Sequence, residues 1–160
     1  MFYKLKYFFI KSKLKKFIRG ENKPRKIMSK MVCSKMADDK YDILKYKSKS
    51  FSETLFSLID EKKMTDVDCY KRANIDRKLF SKIRSNSDYK PSKNTVFAFS
   101  VALKLNLEET GILLESAGYS LSKSFVTDMI VEYFIRNKKY DINLINIALY
   151  DYNQQPLGSF

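Results

Sequence analysis

Histidine is missing altogether from the 160 residues, and with it the commonest general base and the commonest neutral metal ligand. Two cysteines are present, Cys33 and Cys69, far apart and without a CxxC pairing, so no structural zinc site is expected. A disulfide between them stays open; a reduced pair in the cytoplasm is the expectation. Glycine and proline are scarce, at 4 and 3 residues, and the tight turns of a hairpin-rich sheet need more of that chemistry than the chain has. There is no glycine-rich phosphate loop, no paired-carboxylate motif and no nucleophile elbow. A non-enzymatic protein without cofactor or metal is therefore expected. No apolar run approaches the roughly 20 residues that span a bilayer, so a membrane is not the expected partner.

What is abundant is aromatic bulk and positive charge. Twelve Phe and 11 Tyr, within a hydrophobic content of 44%, supply a core for one domain or one domain plus a tail. The formal charge of +13 is unevenly placed: residues 1–50 hold 16 Lys/Arg against 4 Asp/Glu, whereas residues 51–160 hold 15 against 14. A field of that sign attracts nucleic acid, an anionic membrane surface or an acidic protein.

In the opening MFYKLKYFFIKSKLKKFIRG, Tyr3, Tyr7, Ile10, Leu14 and Phe17 alternate at spacings of four and three, one face of a helix, with Lys4, Lys11 and Lys15 on an adjoining flank. Gly20 and Pro24 are its stop signals. Three readings stand together: the stripe packs on the protein or on a second copy, the helix lies on nucleic acid, or it lies on an anionic membrane. Residues 21–50 read as a lysine-rich linker with a short helix near Asp39–Lys45.

From Phe51 the helical period sharpens. Ser52 is the expected cap of a helix with Leu55, Phe56, Leu58 and Ile59 on its apolar face. Thr65 caps a short second helix that carries Asp66 and Asp68 in its first turn and ends at Asn74, a residue that tolerates a left-handed turn. Asp76 caps a third, RKLFSKIRS, with Leu79, Phe80 and Ile83 inward and Arg77, Lys78, Ser81, Lys82 and Ser85 outward. After NSDYKPSK a largely apolar helix, 94–105, reads as central, and LEETGILLESAGY reads as another that stops at Gly118. Two short helices joined by a tight turn, the second with a basic outer face, meet the physical requirement for reading a major groove roughly 12 Å wide.

The residues TDVDCYKRANIDRKLFSKI and YKPSKNTVFAFSVALKLNLEETGILLESAG resemble the Cro/CI-type helix-turn-helix domain, also called lambda-repressor-like or XRE, over about residues 51–119. The matches are Thr65, Ala73, Ile75, Ser81, Ile83, Pro91, Ser92, Ala102, Leu103, Leu113, Leu114 and Gly118. Tyr70 stands where the family usually has a small Ala, Asn74 replaces Gly in the turn, and Arg84 replaces a Glu that often takes part in an internal ion pair. The resemblance implies that Arg77, Lys78 and Lys82 face base edges, and that Arg84, Lys90 and Lys93 meet phosphates.

Residues 120–160 read as two further helices, the first capped by Ser122 or Ser124 with Phe125, Met129, Ile130, Tyr133 and Phe134 apolar, the second capped by Asp141. The expected whole is an all-α protein: a lambda-repressor-like helix-turn-helix bundle (51–119) with a C-terminal helical extension (120–160) and a basic N-terminal helix and linker (1–50). Its expected function is that of a cytoplasmic regulator of transcription, of bacterial or phage type, binding double-stranded DNA as a homodimer. Residues 120–160 are expected to pack on the fourth and fifth helices, with surface left over for a dimer or a protein partner. The alternative function is that of an interaction module of the same shape, a phage-encoded inhibitor or host-defence adaptor, that binds a protein or RNA.

Overall fold

The computed structural model describes residues 2–20 and 49–158, with the side chains of residues 2–5 excepted. The helix expected near Asp39–Lys45 and the thiol of Cys33 lie outside them. Among the described residues the chain is wholly helical: α1 (Phe2–Ile18), α2 (Phe51–Glu61), α3 (Asp66–Arg72), α4 (Arg77–Ser85), α5 (Lys93–Ala102), α6 (Leu107–Ser116), α7 (Val126–Arg136) and α8 (Ile142–Asp151).

Local chemistry explains most of the boundaries. Ser50, not Ser52, caps α2: its hydroxyl accepts the Glu53 N–H while Glu53 returns to the Ser50 N–H, a complete capping box. Ser52 sits two residues on, buried, and donates to the Ile83 carbonyl at 2.6 Å, tying α2 to the end of α4. Thr65 caps α3 and Ser92 caps α5. Asn106 and Glu109 form a second capping box on α6, and the Asp141 carboxylate accepts two N–H groups at the start of α8. The start of α7 departs from expectation, because Phe125 takes the cap position and no side chain caps there.

The glycine shortage reappears at the helix ends. Lys63, Asn74, Lys104, Lys138 and Asn153 follow their helices in the left-handed region, φ 51–54°, a place that glycine more often fills.

The central helix is α5, whose Phe97 and Phe99 are fully buried and which packs on α3, α6 and α8. Helix α2 packs on α6, and α7 on α6 and α8. The aromatic-aliphatic stripe of α1 has a destination: Tyr7, Ile10 and Leu14 are buried and Phe17 half-buried, in a helix that packs on α7 and α8. Phe17 meets Tyr133 at 5.4 Å between ring centroids, and Lys11 Nζ reaches Asp151 at 2.7 Å. Packing is thus the observed fate of that face.

A strap follows α8. The Asn146 side chain accepts the Leu157 N–H at 2.8 Å and donates to its carbonyl at 3.3 Å, and Leu157 is fully buried. Gly158, at φ +91°, passes so close to the turn between α3 and α4 that an added Cβ would lie 2.6 Å from the Asn74 carbonyl oxygen.

Candidate nucleic-acid interface

The region of interest is α3, the turn Ala73–Asp76 and α4. Asn74 at φ 54° reverses the chain, and the Ile75 N–H returns to the Tyr70 carbonyl at 2.9 Å. Asp76 occupies the cap position of α4 in extended conformation, yet its side chain makes no cap hydrogen bond. The turn is fixed by packing: Cys69, Ala73 and Ile75 are buried beneath it. Burial, with Asp66 adding and Arg72 opposing, pushes the Cys69 thiol up to about 12, so this sulfur stays protonated.

Helix α4 divides cleanly into two faces. Phe80 and Ile83 are buried and Leu79 half-buried, whereas Arg77, Lys78, Ser81, Lys82 and Ser85 are exposed, with no acidic side chain in the first turn. Phe80 is the hub of an aromatic cluster with Phe56 (5.6 Å), Tyr70 (5.5 Å) and Phe99 (6.0 Å). Tyr70, where the resembled family has a small residue, is accommodated as a half-buried ring against Phe80.

The six cationic residues fall into two groups. Arg77, Lys78, Lys82 and Lys90 are exposed, and Lys82 Nζ lies 5.6 Å from the centre of the Tyr89 ring, a shelf that sequence reasoning missed. Arg84 and Lys93 are engaged within the protein. The Arg84 guanidinium holds both oxygens of Asp66 at 2.5 and 2.6 Å and lies 4.1 Å from the Phe56 ring centre. An internal ion pair between α3 and α4 therefore exists with Arg84 as its cation. Lys93, the first residue of α5, reaches Asp128 at 2.5 Å, a carboxylate only 3% exposed that also accepts the Ser122 N–H at 2.8 Å. Phe125, expected on the apolar face of α7, is instead 61% exposed and lies beside the Lys93 ammonium at 5.5 Å.

Nothing in local sequence pattern announced Asp66 or Asp128 as partners. Asp66 reads as a first-turn helix acid, and Asp128 is separated from Lys93 by 35 positions. Among the described residues no cluster of potential metal ligands exists, and no helix is long and apolar enough to cross a membrane. No protein-family model, no curated protein and no solved structure matches the chain.

Proposed function

We propose that the protein is a DNA-binding regulator whose helix α4 enters the major groove. The observation that carries this reading is the two-faced α4 held on a compact turn: an apolar inner side locked by Phe80 and Ile83, and an outer side presenting Arg77, Lys78 and Lys82 with no acid in its first turn. Arg or Lys at such positions reads guanine O6 and N7, while Lys90, on the loop after α4, suits a phosphate. Arg84 and Lys93 act in this reading as struts, the first aligning α4 on α3, the second tying α5 to α7. A single recognition helix contacts too few base pairs for specificity, so the reading includes a homodimer on a two-fold site.

The resemblance to the Cro/CI-type domain supports the same assignment. The rival, a protein- or RNA-binding module, draws on the neutralisation of two of the six cations by Asp66 and Asp128.

Mobility-shift titration of the full chain on a selected duplex, across a salt series, separates the two. Arg77→Ala or Lys82→Ala is expected to cost about 1–3 kcal/mol on the preferred duplex and little on random DNA. Lys90→Ala is expected to weaken both about equally. Wild-type affinity in all three variants would refute the assignment of α4.

A further inference from the structure

Helix α1 has two faces, and packing on α7 and α8 accounts for only one. Phe8 and Phe9 are 72% and 73% exposed, in edge-to-face contact with ring centroids 6.2 Å apart. Single exposed apolar residues are ordinary, but two adjacent phenylalanines on a helix whose opposite side is already anchored form a patch. Four and seven residues further along the same outward side stand Lys13, Lys15 and Lys16, all exposed, with Arg19 beyond them. At 1.5 Å per residue the cations follow the rings at roughly 6–10 Å along the axis. Residues 1–20 contain seven Lys/Arg and no Asp or Glu.

We propose that the outward face of α1 is a docking surface for an anionic lipid bilayer, with Phe8 and Phe9 entering the headgroup–acyl boundary and Lys13, Lys15, Lys16 and Arg19 engaging the headgroups. The charge selects an anionic partner, and the rings select among anionic partners. A duplex backbone takes the lysines and offers the exposed rings nothing, whereas a bilayer surface takes both, the rings at a depth of about 5–10 Å. A second copy of the chain would bring one cationic face against another. The spacing fits a tilted helix, rings deeper and cations level with the phosphates. Burial of Tyr7, Ile10 and Leu14 keeps α1 from peeling away, so the domain would be held on the surface with it. This inference is independent of the reading of α4.

The test is co-sedimentation of the full chain with vesicles of phosphatidylcholine alone or mixed with phosphatidylserine. Binding is expected to the mixed vesicles only. Phe8→Ala with Phe9→Ala is expected to weaken it about tenfold or more. Lys13→Gln, Lys15→Gln and Lys16→Gln together are expected to weaken it on the order of 100-fold at low salt. The chain has no tryptophan, so Phe8→Trp supplies a clean second readout, its emission shifting to the blue on mixed vesicles. Three results would overturn the proposal: no binding to the mixed vesicles, undiminished binding by the double alanine variant, or unshifted Trp emission. A double alanine variant that instead loses duplex affinity or self-association, with vesicle binding intact, would assign the face to nucleic acid or to a second copy.

Discussion

Leu14 and Phe8 stand on the same helix at opposite fates, and comparing their truncation tests how α1 is held. Leu14 is fully buried in the α1 face that packs on α7 and α8. Leu14→Ala removes three carbons, worth about 0.8 kcal/mol each in transfer, and leaves a cavity whose cost adds to that. The expected loss is about 2–5 kcal/mol. For a chain of this length each kilocalorie moves Tm by about 2–4 °C, so a fall of roughly 5–15 °C follows. Phe8→Ala removes more atoms from the same helix, but atoms already in water, and is expected to stay within about 0.5 kcal/mol of wild type. Scanning calorimetry reads both, and amide exchange over residues 7–18 detects α1 opening ahead of the rest. Equal melting for the two variants, with α1 exchanging no faster in Leu14→Ala, would refute the packing of α1 as the source of its order.

Three further outcomes follow from particular contacts. Asp66→Asn is expected to cost at most about 1 kcal/mol, because the pair is half exposed, whereas Arg84→Ala loses the Phe56 contact as well and should cost more in urea unfolding. Gly158→Ala should lower stability by about 1–2 kcal/mol, more than Gly118→Ala: both have positive φ, but only Gly158 faces a carbonyl oxygen at 2.6 Å, and equal losses would refute the close approach. Burial raises the Glu109 carboxyl, but the Lys62 hydrogen bond, the Asn106 N–H and the Lys62 charge outweigh it and leave it below its ordinary 4.5. A depressed carboxylate contributes stability above that ordinary value and loses it as pH falls through the folded value, so Glu109→Gln should flatten the decline of Tm below about pH 4.5.

The helices from α2 to α8 were legible because their information is local. Thr65 with two acids behind it, Asn74 as a reversal, and the period of Leu79, Phe80 and Ile83 each operate within one or two turns. The cap of α2 was legible but misread: Ser52 was the expected cap, whereas Ser50 with Glu53 three residues on has the capping-box spacing, and those two make the reciprocal bonds. The state of the cationic side chains was not legible at all. Arg84 and Lys93 look like Lys82 in one dimension, and what distinguishes them is a carboxylate 18 or 35 positions away. The face of α1 chosen for packing was foreseen by spacing, yet its destination on α7 and α8, more than a hundred residues onward, was not.

The strap over the α3–α4 turn also has a consequence in time. Gly158 lies against it, and Asn94 at the start of α5 donates to the carbonyls of Gln155 and Pro156 at 3.4 and 3.3 Å. All of these partners leave the ribosome after α8. A nascent chain that already holds α2 to α6 can close its local turns over Cys69, Ala73 and Ile75, but the contact of Gly158 with Asn74 arrives only once residues 155–158 are made, and closing such long loops is slow compared with forming helices. The last contact on the α3–α4 turn is therefore coupled to the synthesis of residues 155–158, and a chain stalled before them would hold that turn by its own buried side chains alone, without Gly158 against Asn74.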